Sequence, residues 1–124
     1  METFKYSLLL FMCMKISKED LLRINKGFGG SLRSGSSLDF AFDKLKDKKL
    51  GIYKKLAYLT RAILVDHPFS DGNKRTAMFV AFMFSEENNK VADRGLLLHH
   101  IVSISKNNLN NIRNIEWRLK NAIK

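Results

Sequence analysis

The chain has very little cysteine or proline, with one residue of each among its 124 positions. A single cysteine excludes an internal disulfide, and no metal-ligand or catalytic partner stands near Cys13 in the sequence. We therefore interpret Cys13 as a small buried hydrophobic residue. Proline occurs once, at Pro68, so no other part of the chain is forced out of helix by that residue type.

Acidic residues are also scarce: the chain has 12 Asp and Glu against 22 Lys and Arg, which gives a formal charge of +10. Such an excess attracts nucleic acid, an acidic protein or a polyanionic cofactor, and charge alone does not choose among them. Hydrophobic residues make up 45% and charged residues 27% of the chain, the balance of a folded globular protein. The length predicts a single domain over 1–124, or over 15–124 with 1–14 as an extension.

The apolar run Leu8–Met14 is too short to span a bilayer. It loosely resembles the apolar part of a signal peptide, but no small-residue cleavage site follows it. We therefore predict a cytoplasmic protein. Translation beginning at Met14 rather than Met1 stays an open alternative, since a helix start follows directly.

The spacing of apolar residues predicts an all-helical domain. Ser17 and Asp20 have the pattern of a capping box, and the helix they begin should stop before Gly27. The sequence predicts five more helices, over 38–45, 52–66, 73–87, 94–103 and 109–123. The fourth helix has no polar face between residues 77 and 84, which predicts a central position in the fold. We also expect Trp117 in the core.

The segment Asp66–Ala77, DHPFSDGNKRTA, carries the chemistry. His67 directly follows a helix, where an imidazole can act as a base near neutral pH. Gly72 and Asn73 then begin the most apolar helix in the chain. The free backbone N–H groups and the positive dipole end of that helix make a natural anion site, which glycine lets an anion approach closely.

Three charged residues complete this pattern. Lys74 and Arg75 place two cations in the first helical turn, where they oppose the helix dipole. Asp71 is a poor phosphate ligand by itself, but Mg²⁺ is commonly held by one carboxylate together with nucleotide phosphates. The combination predicts phosphoryl or nucleotidyl transfer. The alternative from the residues alone is an ordinary turn followed by a capped helix.

The stretch His67–Arg75, HPFSDGNKR, resembles the Fic/Doc family signature H-P-F-x-[DE]-G-N-x-[KR] at every specified position. The resemblance implies a helical domain in which His67 deprotonates a target hydroxyl and Asp71 holds Mg²⁺. It further implies that ATP phosphates bind at the start of the motif helix and that Phe69 is a buried anchor. The implied phosphate-binding residues are Gly72, Asn73, Lys74 and Arg75.

Two positions favour one branch of that family. AMP-transferring Fic enzymes typically have glycine where this chain has Lys74, and a second arginine where it has Met78. Asn-Lys-Arg-Thr-Ala resembles the Doc (death-on-curing) toxins, which implies transfer of the terminal phosphate of ATP to a protein hydroxyl, with elongation factor Tu as the implied target. AMP transfer of the Fic type remains an alternative.

A glycine- and serine-rich segment, 27–37, lies upstream and predicts a loop or short hairpin. The family resemblance implies a flap there that holds an extended target segment by strand addition. We assign this flap to Gly29, Gly30, Ser31, Leu32 and Arg33, with Arg33 as a nucleotide or target contact. A flexible surface loop is the alternative.

No serine or threonine stands four residues before a glutamate, so the inhibitory pattern [ST]-x-x-x-E-[GN] of many Fic proteins is missing from this sequence. By resemblance to Doc toxins, a separate antitoxin protein would inhibit the chain, and an acidic partner would suit its positive charge. Two further alternatives stay open, a family member that has lost a working flap and a non-enzymatic basic helical module that binds nucleic acid.

Overall fold

The computed structural model describes residues 15–124 as six helices connected by short loops. The predictions for Cys13 and for the apolar run 8–14 lie outside the described residues. No described helix has both the length and the apolar character needed to cross a membrane. The helices are α1 (Lys18–Gly27), α2 (Ser36–Leu45), α3 (Ile52–Leu64), α4 (Asn73–Glu87), α5 (Arg94–Lys106) and α6 (Ile112–Ala122).

The all-helical prediction is confirmed. The capping box is present, because the Ser17 hydroxyl accepts a hydrogen bond from the Asp20 backbone and the Asp20 carboxylate accepts one from Ser17. The same bonds lower the pKa of Asp20, whose charged form they stabilise. The predicted bounds of α4 also agree with the structure.

The centre of the fold is α3 and not α4. Helix α3 packs against α2, α4, α5 and α6, and it buries Leu56, Leu59 and Ile63 completely. These side chains recur at three- and four-residue spacing and so form one apolar stripe.

The apolar sequence of α4 predicted a helix that is enclosed on all sides. The structure shows that one part of its surface is exposed instead. Phe79 and Phe82 are 43% and 37% exposed, while Val80 and Phe84 are buried. Trp117, expected in the core, is 62% exposed on α6. In both helices an apolar sequence predicted burial that the neighbouring elements do not supply, since apolar character alone does not say which faces meet another element.

The glycine- and serine-rich segment between α1 and α2 is a loop without a hairpin of its own. Leu32 forms an isolated antiparallel bridge with Phe69 in the motif loop. The segment thus pairs with residues far along the chain, which sequence spacing did not predict.

Candidate active site

His67 lies in the loop between α3 and α4 with a backbone φ of 47°. Left-handed backbone is uncommon for residues other than glycine and costs about 1–3 kcal/mol, so it persists where surrounding contacts impose it. Pro68 prevents α3 from continuing through His67, but a residue before proline favours extended dihedrals, so tertiary contacts must impose the positive φ. The imidazole makes no hydrogen bond with any residue of the described range 15–124 and lines a cleft.

Asn73, the first residue of α4, holds the motif loop closed. Its side-chain amide donates to the Phe69 carbonyl at 3.1 Å, and its side-chain oxygen accepts from the Phe69 N–H at 3.3 Å. Phe69 is 1% exposed, as predicted for an anchor. The Asn73 side chain therefore positions the loop, while its backbone N–H stays available at the helix start.

Gly72 precedes α4 with φ 73° and leaves little room for a side chain. A Cβ there would lie 3.1 Å from the Phe28 Cβ and 3.3 Å from the Phe28 carbonyl oxygen. The positive φ strongly favours glycine, and the tight contact with Phe28 adds to that preference. The Gly72 N–H donates to the Asp71 carboxylate at 2.8 Å, which orients that side chain at the entrance to the helix.

The start of α4 has the properties of an anion site. The first α4 residue whose backbone N–H finds a helical partner is Thr76, bonded to the Gly72 carbonyl at 2.9 Å. Within the described residues, the N–H groups of 73, 74 and 75 have no acceptor. Lys74 and Arg75 are exposed and form no ion pair with any residue from 15 to 124. Unpaired cations beside a helix N-terminus raise the electrostatic energy of the protein until an anion binds.

These groups surround one cleft of about 290 Å³. The volume lies at the lower end of small-molecule sites and accommodates a phosphate chain rather than a whole buried nucleotide. The structure thus brings together the predicted base, carboxylate, glycine, asparagine and both cations. The cleft is lined by Phe28, His67, Ser70, Asp71, Gly72, Asn73, Lys74, Arg75 and Ser105.

The donor set at Asp71 fits Mg²⁺ in one particular way. One Asp71 oxygen accepts from Gly72, and the other has no partner among residues 15–124. No group of three His, Cys, Asp or Glu side chains within that range could hold a metal by itself. A cation at Asp71 would therefore complete its coordination with phosphate oxygens and water, which is how Mg²⁺ usually binds next to nucleotides.

Asn25 is a positioning residue that sequence reasoning missed. It is completely buried, and its amide donates to the Asp71 carbonyl at 2.8 Å and to the Thr76 hydroxyl at 3.2 Å. These bonds tie α1 to the motif loop and to the first turn of α4. The available signal was a polar residue four positions after Leu21, on the face of α1 that the fold buries.

The predicted flap lies directly against the motif loop. Ser31 accepts from the Ser70 backbone at 2.8 Å, and the Arg33 backbone donates to the Pro68 carbonyl at 2.7 Å. The Arg33 guanidinium donates to the His67 carbonyl at 3.0 Å, so Arg33 also contributes to holding His67.

The flap residues differ in exposure. Gly30 is buried and has no space for a side chain. A Cβ there would lie 2.3 Å from both the Asn25 side-chain oxygen and the Asp71 carbonyl oxygen. Leu32 is 41% exposed, and its own backbone N–H and carbonyl have no partner among residues 15–124. The surface available to a partner is therefore the outer edge at Leu32.

Two other lining residues had no sequence signal that pointed to the site. Phe28 follows α1, and Ser105 comes from the last turn of α5. Ser105 reaches the cleft because α5 packs against α4, a tertiary arrangement that local sequence does not specify.

A histidine, a carboxylate and a cationic helix start line one cleft on an all-helical fold. The family model described as the Fic/DOC family matches residues 15–85, which is more than half of the chain and includes the whole motif. The chain belongs to the Fic/DOC family, whose members are generally transferases that modify proteins and typically use ATP and Mg²⁺. No curated protein and no solved structure matches the chain.

Proposed function

We propose that the chain is a Doc-like toxin that transfers the terminal phosphate of ATP to a hydroxyl of a protein target. The observation that carries this proposal is the single cleft in which His67 and Asp71 meet the unpaired N-terminus of α4. Phosphoryl transfer needs positioning and charge stabilisation more than covalent chemistry from the protein, and this cleft supplies both.

In the proposed reaction, His67 takes the proton from the target hydroxyl as its oxygen attacks the terminal phosphorus. The bond between that phosphorus and the bridging oxygen breaks, ADP leaves, and the imidazolium later loses its proton to water. Backbone N–H groups at the start of α4, with Lys74 and Arg75, stabilise the charge that develops on the phosphoryl oxygens. Mg²⁺ held by Asp71 and the phosphates would neutralise further charge.

Phosphate transfer is favoured over AMP transfer by the residues around the helix start. Lys74 stands at the cleft in the position where AMP-transferring enzymes typically have glycine, and its side chain would occupy space near the phosphates. Met78 is partly buried against the core, so position 78 contributes no second cation. AMP transfer is the second candidate, since the remaining groups suit either reaction.

The flap supports a protein rather than a small-molecule acceptor. The outer edge at Leu32 offers one N–H and one carbonyl that have no partner among residues 15–124. An extended target segment would add to this edge by main-chain hydrogen bonds, which require little of its sequence. We propose elongation factor Tu as the target and a separate, acidic antitoxin protein as the inhibitor. With these partners the chain would act in the cytoplasm.

Radiolabelled ATP tests the proposal directly. The purified chain is incubated with Mg²⁺, elongation factor Tu or cell extract, and ATP labelled on either the alpha or the gamma phosphate. We expect only the gamma label to reach a protein, and we expect His67→Ala to prevent the transfer. Alpha label on the target would instead establish AMP transfer. Salt-sensitive nucleic-acid binding without transfer of either label would favour the non-enzymatic alternative.

A further inference from the structure

Two aromatic rings lie next to the phosphate end of the cleft, and the transfer chemistry does not use them. Phe28 lines the cleft together with His67 and the first residues of α4. Its ring meets the ring of Phe79 edge to face, with centroids 6.2 Å apart and an interplanar angle of 68°. We define these two residues as the aromatic pair.

The aromatic pair is held close to the anion site. Phe28 follows the last turn of α1, and its N–H donates to the Asn25 carbonyl at 2.9 Å. The Phe28 backbone approaches Gly72 so closely that an added Cβ on Gly72 would lie 3.1 Å from the Phe28 Cβ. An apolar ring thus stands beside the glycine that precedes the free N–H groups of α4.

The exposure of the pair is costly unless something covers it. Phe28 is partly exposed, and Phe79 is 43% exposed although it belongs to the most apolar helix of the chain. A ligand that fills the cleft with phosphates and extends over the exposed rings beside it would carry a flat apolar group next to its phosphates. Nucleotides have this composition, and any of the bases can stack on an aromatic side chain, because every base has a flat π-face.

We infer that Phe28 and Phe79 form the subsite that binds the base of the nucleotide. The base stacks on the Phe28 ring, and the Phe79 ring supports the Phe28 ring from the side. This inference rests on the proposed function, since it requires that the cleft bind a nucleoside triphosphate. It assigns affinity for the base to the residue that follows α1 and to α4, and it leaves the phosphate contacts to the motif itself.

Comparing ATP with inorganic tripolyphosphate separates base binding from phosphate binding. Isothermal titration calorimetry with Mg²⁺ would measure the affinity of the full chain for each. Stacking on one aromatic ring is worth a factor of about 5 to 150 in affinity. We expect ATP to bind more tightly than tripolyphosphate by such a factor, and Phe28→Leu to remove most of that difference without changing tripolyphosphate binding.

Matched variants distinguish stacking from a general loss of structure. Phe28→Tyr retains an aromatic face and should keep the preference for ATP. Phe82→Leu removes another exposed phenylalanine of α4, one that makes no ring contact with Phe28, and should change neither affinity.

Three outcomes would overturn the inference. If Phe28→Leu weakens both ligands equally, Phe28 supports the loop and does not bind the base. If wild-type protein binds tripolyphosphate as tightly as ATP, the base gains nothing in the cleft, and the proposed phosphate site survives. If wild-type protein binds neither ligand, the proposed function fails as well.

Discussion

Two histidines in this molecule occupy opposite kinds of environment. His67 lies in a loop with positive φ, lines the cleft, and makes no side-chain hydrogen bond within residues 15–124. His100 is 5% exposed on α5, and both of its ring nitrogens have partners on α6. Nδ1 lies 3.0 Å from an Arg118 nitrogen, and Nε2 lies 3.2 Å from the Asn121 side-chain nitrogen.

The partners of His100 restrict its ring nitrogens. Arginine only donates, so Nδ1 must accept the hydrogen bond from Arg118 and carries no hydrogen of its own in this contact. His67 has no side-chain partner among residues 15–124 and faces the cleft instead. The comparison teaches that one histidine is used to join two helices, while the other is left accessible at a cleft. Matched variants can therefore compare two regions, the motif loop around His67 and the seam between α5 and α6 around His100.

The largest contrast should be between His67→Ala and His99→Ala. Removing a general base typically lowers the rate by about 100- to 10,000-fold, so phosphate transfer should fall by that factor in His67→Ala. His99 is exposed on α5, and its replacement should leave the rate unchanged. Rates from labelled ATP, with urea unfolding as a check on stability, would measure both. Equal rates in the two variants would contradict the assignment of the base.

Asn25→Ala and Asn121→Ala should separate positioning from packing. Losing the two bonds that Asn25 donates leaves the buried Thr76 hydroxyl and the partly buried Asp71 carbonyl without this donor, and should lower the free energy of unfolding by about 1–3 kcal/mol. It should also slow transfer, because the Asp71 carbonyl loses its support. Asn121→Ala should lower stability without changing the rate. An Asn25→Ala enzyme with the wild-type rate would show that α1 does not position the motif loop.

Replacing glycine by alanine should change the stability of the protein in opposite directions in the two regions. Gly72→Ala forces a side chain into positive φ, which costs about 1–2 kcal/mol, and it also presses against Phe28. Gly95, in the first turn of α5, has open space around it apart from an Asp93 oxygen 3.8 Å away. Alanine there should raise stability by up to about 1 kcal/mol. Thermal unfolding of both variants measures the difference, and a destabilised Gly95→Ala protein would contradict it.

The smallest effect should be on pH dependence. Burial, with the nearby charges of Arg118 and His99, lowers the pKa of His100 from its ordinary value of 6.5. The unfolded chain then binds more protons than the folded chain as the pH falls below that value. Stability should be fully present above it and decline on acidification.

Urea unfolding across mildly acidic pH would measure this decline in wild-type protein and in His100→Gln. The variant cannot titrate at this position, so its stability should depend less steeply on pH over the same range. Parallel curves would show that the seam between α5 and α6 is insensitive to protonation of His100.

Local sequence was sufficient for much of the fold and for the motif. Capping at Ser17 and the apolar stripe of α3 predicted helices that the structure contains, because both depend on residues within a few positions of each other. The chemical groups of the site were equally readable, since His67–Arg75 are consecutive. The roles assigned to them, and the single domain, remain predictions.

The sequence by itself determined six helices, a net positive charge and the order of the chemical groups in one loop, because each depends on composition or near-neighbour spacing. Tertiary structure alone decided that α3 is central, that Phe79 and Trp117 are exposed, and that Asn25, Phe28 and Ser105 meet at the motif. Those facts depend on which helix faces pack together. Contacts between residues as distant as Asn25 and Asp71 leave no periodic trace in the chain.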